Sequence, residues 1–377
     1  MAYVNGIQSV VTAEIEKKSV NIKLSGNAPI KYSFAWLRDN CRCKDCYNYA
    51  TFQRNKHILD IPEDAFPVEL TTARDILTIK WDDQHVSEYS AKFLWEYWPG
   101  NWKKKNSVVP RKLWTGKAVA SKVAYVNRDD FLKSTETLKI FLKSLIEYGC
   151  AFVDNVAPTL EDTELVIKRV APVQRTLFGD MWTFTSDNNR ADTAYTTIPL
   201  AAHNDSTYLT EATGLQVLHC MEHDGTGGEN LFVDGFHVAD ELRRTDPATF
   251  KTLTTVLQPA EYLEEGWHQT HIAPVISLNP INQELEQMRF NIYDRSPHCI
   301  SPGEDDAEMY AALRKISKMF DSPDRQWWFK LNPGRVAFFD NWRLLHGRDG
   351  FTGRRVVGGS YVGRGDWLSA ARIHGLI

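Results

Sequence analysis

Two histidines and one aspartate carry the clearest chemistry in this 377-residue chain: His203, Asp205 two residues later, and His346 far downstream. Two imidazoles and one carboxylate on one face of an octahedral ion leave three positions open, an arrangement typical of non-haem Fe(II) oxygenases. The open positions can bind a chelating cosubstrate and O2. The pattern therefore predicts an iron centre with His203, Asp205 and His346 as metal ligands and catalytic residues.

Strand geometry indicates how these ligands could meet. Residues i and i+2 of a strand point to the same side, so we expect His203 and Asp205 to lie on one strand face. His346 must then come from a strand that is distant in sequence and adjacent in space. An HxD pair alone is not specific, because structural histidines also produce it.

Composition narrows the class of protein. The chain is 43% hydrophobic and carries a formal net charge of -4, which gives no electrostatic case for nucleic acid as a partner. No apolar run approaches the roughly 20 residues that cross a bilayer, so we expect no membrane partner. Six cysteines, three of them crowded into residues 41–46, do not resemble a secreted disulfide framework. These features favour a reducing intracellular compartment.

Hydrophobic periodicity predicts a mainly β fold with flanking helices. Strands are predicted at residues 20–24, 76–81, 214–219, 229–233, 287–292, 334–339 and 355–362. Helices are predicted at residues 138–146, with Ser134 and Thr135 as candidate N-caps and a stop at Gly149, and at 161–170, 238–244 and 307–320. This order of elements suggests a two-sheet jelly roll, which brings the ends of sequence-distant strands together. We predict a β-rich N-terminal domain over residues 1–100, a linker over 101–118 and a catalytic domain over 119–377.

Several longer stretches carry a resemblance to a known family. The stretches WLRDNC (36–41), DTAYT (192–196) and DNWR (340–343) resemble the carnitine-biosynthesis hydroxylases, which are Fe(II)- and 2-oxoglutarate-dependent dioxygenases. GDMW (179–182), TSD (185–187) and FTG (351–353) are more similar to the trimethyllysine hydroxylases than to the γ-butyrobetaine hydroxylases of that family. The resemblance implies a double-stranded β-helix core, a small N-terminal zinc domain and a homodimer. It also implies Fe(II), 2-oxoglutarate as cosubstrate and ascorbate as reductant.

The resemblance also assigns a site for 2-oxoglutarate. The distal carboxylate of this cosubstrate favours a bidentate arginine, and Arg355 matches the family's arginine. Arg354 is a competing candidate, and we favour Arg355 because six residues separate it from Tyr361, as in the family pattern. Thr226 matches a threonine whose hydroxyl contacts the same carboxylate, although its Thr-Gly-Gly sequence could also form an ordinary turn.

A trimethylammonium group cannot donate a hydrogen bond, so proteins recognise it with aromatic faces. The positions that match the family's aromatic cage are Trp182, Tyr195, Tyr361 and Phe178, the last of which departs from the expected Tyr. Each ring could instead be core packing. Asp192 would attract the α-ammonium of trimethyllysine and repel a lone carboxylate, by about 4 kcal/mol at ~4 Å and an effective dielectric near 20. The butyrobetaine enzyme has Asn there, and Asn291, with Tyr293, is a candidate for holding the amino-acid end.

A second metal site is indicated near the N-terminus. Cys41, Cys43 and Cys46 are too close together for ordinary disulfides, and His85 matches the histidine that completes a zinc site in the butyrobetaine enzyme. A closed site of three cysteines and one histidine is structural. The alternative is a set of free buried thiols.

These observations predict hydroxylation of a small molecule, N6,N6,N6-trimethyllysine, at its β-carbon. Butyrobetaine hydroxylation is the alternative within the family, and a non-catalytic jelly-roll protein that binds a quaternary amine is the alternative from another class. We expect the protein in the cytoplasm, with the mitochondrial matrix as the alternative because the family includes mitochondrial members.

Overall fold

The computed structural model describes residues 9–98, 100–101, 109–186, 193–298 and 304–377, except the side chains of 304 and 305. These residues fall into two compact units, within Met1–Asn106 and Ser107–Ile377. The predicted domain boundaries stay a prediction. Residues 109–118 of the predicted linker belong to the second unit, where the buried Trp114 donates its backbone N–H to Asp234 at 3.1 Å.

The first unit is a small β-rich body with two three-stranded antiparallel sheets. One sheet contains β1 (Val10–Ile15), β2 (Ser19–Leu24) and β3 (Ile30–Ser33), and the other contains β6 (Pro67–Ala73), β7 (Ile76–Trp81) and β8 (Val86–Ser90). A short hairpin joins β4 (Tyr47–Asn48) to β5 (Gln53–Arg54), and two short helices are α1 (Phe34–Asp39) and α2 (Ala91–Tyr97). Alternation of β2 and β7 places residues such as Ile22 and Ile79 in a shared core.

The second unit is built on two facing sheets. The larger-sheet strands are β9 (Ala124–Asn127), β10 (Cys150–Asp154), β11 (Val173–Gln174), β12 (Trp182–Phe184), β14 (Leu215–His223), β21 (Arg335–Asp340) and β23 (Arg355–Val362). The smaller-sheet strands are β13 (Leu200–His203), β15 (Asn230–Asp234), β20 (Trp327–Phe329) and β22 (Leu344–Arg348). The larger sheet has the order β11-β23-β14-β21-β10-β9, with β12 also paired to β23, and the smaller has the order β13-β22-β15-β20. This arrangement is the predicted double-stranded β-helix.

Aromatic packing fills part of the space between the sheets. Phe232 of the smaller sheet lies 4.8 Å from Phe339 of the larger sheet, between ring centroids. Phe152 of β10 contacts Phe329 of β20 in the same way, at 5.6 Å. These fully or largely buried rings fix the separation of the two sheets.

Helices and two hairpins flank the sheets. The helices are α3 (Arg128–Lys133), α4 (Thr135–Tyr148), α5 (Leu160–Val170), α6 (Gly235–Thr245), α7 (Pro247–Thr255), α8 (Glu304–Phe320) and α9 (Arg364–Ile373). The hairpins are β16 (Leu257–Glu264) with β17 (Trp267–Pro274), and β18 (Ile276–Leu278) with β19 (Leu285–Met288). The predicted caps of α4 are confirmed: the Ser134 hydroxyl accepts from the Thr137 N–H, and Gly149 ends the helix at a positive φ of 84°. Helices α1, α2, α3, α7 and α9 were not predicted.

The predicted strand over residues 287–292 is wrong beyond Met288. Strand β19 ends there, and the next backbone groups bond outside any sheet ladder. The N–H of Phe290 donates to the side chain of Asn204 at 3.1 Å, and its carbonyl accepts from the N–H of Asn204 at 2.7 Å. The other predicted strands are present, and β7 and β23 have the predicted bounds.

Candidate active site

The three predicted iron ligands meet between β13 and β22. His203, the last residue of β13, is the cross-strand partner of His346 on β22, with ring centroids 4.3 Å apart. The Oδ1 atom of Asp205 lies 3.3 Å from Nε2 of His203 and 3.7 Å from Nε2 of His346. One donor atom from each residue therefore lies within 4.8 Å of the other two.

Asp205 reaches this position differently from our expectation. Strand β13 ends at His203, so strand alternation does not align the pair. Instead, the side chain of Asn341 holds the backbone of Asp205: its Oδ1 accepts the Asp205 N–H at 2.9 Å, and its Nδ2 donates to the Asp205 carbonyl at 3.0 Å. Ser206 then turns the chain in the left-handed region, at a φ of 62°.

The hydrogen bonds of His203 and Asp205 leave a metal-binding atom of each residue facing the point where the three ligands meet. Nδ1 of His203 lies 2.7 Å from the Ala201 carbonyl, so it carries the proton and leaves the Nε2 lone pair for a metal. The Oδ2 atom of Asp205 accepts from Nε2 of Gln216 at 2.7 Å and from the hydroxyl of Tyr361 at 2.8 Å. Oδ1 of Asp205 therefore faces the two imidazoles.

The electrostatics of His346 and Asp205 also favour the forms that bind a metal. For His203, burial lowers the pKa, but the hydrogen bond and the charge of Asp205 outweigh it and hold the pKa above its ordinary value. Burial, reinforced by the neighbouring His203, lowers the pKa of His346 to about 3, so this imidazole is neutral. Burial alone would raise the pKa of the Asp205 carboxyl, but His346 and His203 hold that pKa well below its usual range. One anionic oxygen and two imidazole nitrogens fit Fe(II).

Asn204 lies between the predicted ligands His203 and Asp205 and anchors the backbone there, a role that was not predicted. It is buried, and its Nδ2 donates to the carbonyls of Asn341 at 2.8 Å and Leu344 at 2.9 Å. Asn291 donates from its own Nδ2 to the Asn204 carbonyl at 3.0 Å. The Asn291 amide is thus engaged in positioning the ligand loop, and its contact with substrate stays a prediction.

The ligands open onto a cavity of about 1060 Å³, its open mouth included. Arg355 and all four predicted aromatic cage residues also line it. The predicted candidates Asn291 and Tyr293 line it as well. Phe184, Arg348 and Asp294, which were not predicted, are part of the same wall. Asp192 lies outside the described residues.

Arg355 is a buried cation suited to an anionic ligand. The residue is 4% exposed, and within the described part of the chain its guanidinium makes no hydrogen bond or ion pair. Burial lowers the pKa of its guanidinium, which shows how unfavourable the uncompensated charge is. Arg354, the competing candidate, instead forms an ion pair with Glu222 at 3.4 Å, with 67% of its side chain exposed.

Thr226, the other residue predicted to contact 2-oxoglutarate, is not part of the described cavity wall. It is exposed. Its hydroxyl lies 2.9 Å from that of Thr352. Contact between Thr226 and 2-oxoglutarate stays a prediction.

The aromatic wall forms a chain of ring contacts. Trp182 lies 5.4 Å from Tyr361 and 5.6 Å from Phe184, and Phe184 lies 6.0 Å from Tyr195, measured between ring centroids. Phe178 contacts Tyr262 at 5.8 Å. The period-two spacing of Trp182 and Phe184 on β12 was the signal that could have identified Phe184.

The predicted zinc ligands meet within the first unit. Nε2 of His85 lies 3.2 Å from the sulfur of Cys41, 3.8 Å from that of Cys43 and 3.7 Å from that of Cys46. Asp83 orients this loop by accepting the His85 N–H at 2.9 Å and a hydrogen bond from Arg38 at 2.8 Å. Three sulfurs and one imidazole nitrogen are the donor set of structural zinc sites.

Comparisons with known proteins agree with this geometry. The family described as Taurine catabolism dioxygenase TauD, TfdA family, matches residues 115–361, and the family described as Gamma-butyrobetaine hydroxylase-like, N-terminal, matches residues 11–95. A solved Burkholderia xenovorans protein described as an alpha-ketoglutarate-dependent taurine dioxygenase shares the fold, with a TM-score of 0.50 and 14% identity over 67% of this chain and 92% of that chain.

Curated relatives cover nearly the whole chain. It is 39% identical to the mitochondrial trimethyllysine dioxygenase of Homo sapiens, over 93% of this chain and 84% of that protein. It is 33% identical to the trimethyllysine dioxygenase of Meyerozyma guilliermondii, over 96% of this chain and 94% of that protein. The chain therefore belongs to the trimethyllysine dioxygenase family, within the TauD-type oxygenases that depend on Fe(II) and 2-oxoglutarate.

Proposed function

We propose that this protein hydroxylates N6,N6,N6-trimethyllysine at its β-carbon. The observation that carries the proposal is that one cavity combines three features: the ligand set of His203, Asp205 and His346, the unpaired Arg355, and a wall of aromatic rings. A protein that only binds a quaternary amine needs the rings and has no use for the other two. The names of the relatives support trimethyllysine as the substrate.

Each part of the cavity has a separate task. When bound, Fe(II) supplies O2 activation coupled to the oxidation of 2-oxoglutarate to succinate and CO2. Arg355 binds a carboxylate of 2-oxoglutarate, because its planar guanidinium can donate two parallel hydrogen bonds. The faces of Trp182 and Tyr361 attract the trimethylammonium group, which keeps the aliphatic chain of the substrate in the cavity. Tyr361 also fixes Asp205 through its hydroxyl, so substrate wall and metal site share a residue.

A side-by-side assay tests the activity. Succinate release is measured with trimethyllysine and with γ-butyrobetaine, with and without Fe(II). We expect turnover with trimethyllysine that requires iron and 2-oxoglutarate and is lost in His346→Ala, while the exposed His268→Ala retains it. Turnover of γ-butyrobetaine without turnover of trimethyllysine would support the alternative, γ-butyrobetaine hydroxylation. Binding of trimethyllysine without any turnover would support a non-catalytic binder.

The hypothesis that Asp192 selects the substrate rests on sequence alone. Asp192→Asn should shift the preference from trimethyllysine toward butyrobetaine, because the α-ammonium then loses an opposite charge. An unchanged ratio of the two catalytic efficiencies would contradict this role.

Further properties are also proposals. Cys41, Cys43, Cys46 and His85 would hold a structural zinc ion, supported by the convergence of their donor atoms. Ascorbate would act as reductant, and the protein would form a homodimer. No helix in the described part of the chain is long and apolar enough to span a membrane. The mitochondrial names of the vertebrate relatives support a mitochondrial location over our first expectation, the cytoplasm.

A further inference from the structure

Arg348 is a buried arginine of the cavity that the sequence did not single out. It lies two residues after His346 on β22, and only 5% of its surface is exposed. Its guanidinium carbon is 4.8 Å from the ring centroid of Phe351, and Arg355 lies 5.6 Å from the same ring. Unlike Arg355, Arg348 donates hydrogen bonds from its guanidinium to other groups of the protein.

Those bonds converge on one short segment, residues 193–198. Nη1 of Arg348 donates to the carbonyl of Ala194 at 3.3 Å, and Nη2 donates to the carbonyls of Thr196 at 2.7 Å and Ile198 at 2.9 Å. A planar guanidinium with several fixed donors can hold three carbonyls at once, whereas an ammonium group is a compact point charge.

The segment held in this way carries one wall of the substrate cavity. Tyr195 lies within it, is 8% exposed and lines the cavity. Other hydrogen bonds of the segment include those from the Thr196 N–H at 3.1 Å and the Thr196 hydroxyl at 2.7 Å to the Thr193 carbonyl, and one from the Phe351 N–H to the Thr197 carbonyl at 3.3 Å. The segment begins directly after residues 187–192, which lie outside the described chain.

Given the proposed function, we infer that Arg348 is a positioning residue that fixes Tyr195 to the strand carrying His346. The guanidinium connects the segment of the aromatic wall to β22, so the trimethylammonium site and the metal site keep a constant separation. A substrate hydroxylated at one carbon requires that constancy, because a small displacement of the reacting carbon sharply reduces the rate of reaction. Arg348 acts through Tyr195 and does not itself need to touch the substrate.

Kinetics of Arg348→Met and Arg348→Lys test this role. We expect Arg348→Met to raise the KM for trimethyllysine about fivefold to tenfold, which lies within the range of one cation–π contact, with the KM for 2-oxoglutarate nearly unchanged. More 2-oxoglutarate should be consumed per hydroxylated product, because the substrate carbon is less well held. Arg348→Lys should raise the KM for trimethyllysine less than Arg348→Met does. Arg244→Met, which removes an exposed arginine paired with Asp240, is the matched control and should behave as the unmodified protein.

Two further measurements separate positioning from general stabilisation. In Arg348→Met, backbone amides of residues 193–198 should exchange with deuterium faster, while those of β14 and β21 remain as protected as in the unmodified protein. In a double-mutant cycle, Tyr195→Ala should already raise the KM for trimethyllysine, and adding Arg348→Met should raise it little further.

The outcomes distinguish this inference from the proposed function. If the unmodified protein does not turn over trimethyllysine, the proposed function fails, and exchange at residues 193–198 still decides the role of Arg348. Unchanged exchange there, or fully additive effects of the Arg348 and Tyr195 substitutions, would overturn the inference. An equal rise of the KM values for 2-oxoglutarate and trimethyllysine in Arg348→Met would overturn it as well.

Discussion

Tyr361 has two roles that one substitution can separate. Its ring forms part of the aromatic wall beside Trp182, at 5.4 Å, and its hydroxyl donates to Oδ2 of Asp205 at 2.8 Å. Tyr361→Phe removes only the hydroxyl. We therefore expect weaker binding of Fe(II) with little change in the KM for trimethyllysine.

The magnitude follows from the hydrogen bonds that Asp205 keeps. A hydrogen bond to a charged group contributes about 1.5–3 kcal/mol, equivalent to roughly 10- to 150-fold in a binding constant. Gln216 still donates to the same oxygen at 2.7 Å, so the carboxylate retains one of its two restraints. We therefore expect a loss at the lower end, about 10- to 30-fold, in line with the effect of residues that orient metal ligands.

Anaerobic calorimetric titration with Fe(II) measures the metal affinity, and steady-state succinate release measures the KM for trimethyllysine. Tyr310→Phe, at a tyrosine that is 47% exposed on α8, is the control for loss of a hydroxyl. Tyr361→Leu should weaken both iron binding and substrate binding, because it removes the ring as well. An Fe(II) affinity within about twofold of the unmodified protein, together with a raised KM, would refute the proposed division of roles.

Three other predictions test separate parts of the molecule. Arg355→Lys should raise the KM for 2-oxoglutarate about 10- to 100-fold in succinate assays, because a bidentate contact is lost, whereas an effect confined to Arg354→Lys would reverse our assignment. Cys43→Ser should lower the zinc content per chain measured by elemental analysis, and unchanged stoichiometry would count against the zinc site. Burial lowers the pKa of His219 from 6.5 to about 4, so the unfolded chain takes up this proton first as the pH falls. His219→Gln should therefore reduce the loss of unfolding free energy between pH 6.5 and 4, by up to about 3 kcal/mol in urea titrations, and an identical pH dependence would exclude this contribution.

Much of the site could be predicted because the chemistry restricts the residue types. Two imidazoles and a carboxylate bind ferrous iron, a bidentate cation binds a carboxylate, and aromatic faces bind a quaternary ammonium group. These needs identified His346 and Arg355, and the structure brings both to one cavity. Local rules worked equally well for elements with strong signals, such as α4 with its Ser134 cap and Gly149 stop.

The sequence was a weaker guide where position depends on contacts between distant residues. Asp205 is oriented by Asn341, 136 residues away, and no local periodicity encodes that pair of hydrogen bonds. Phe290 was predicted within a strand, yet its backbone bonds to Asn204 because the ligand loop lies beside it. Hydrogen bonds of this kind depend on which strands become neighbours.

The amino-acid sequence by itself determined the donor types, the aromatic character of the substrate wall and the strands with the clearest patterns, such as β7 and β23. Only the tertiary structure decided that Arg355 and not Arg354 faces the cavity, that Thr226 lies at the surface, and that Arg348 holds the segment of Tyr195. The physical reason is that residue type sets what a side chain can bind, whereas the packing of the two sheets sets which side chains share a space and which face water.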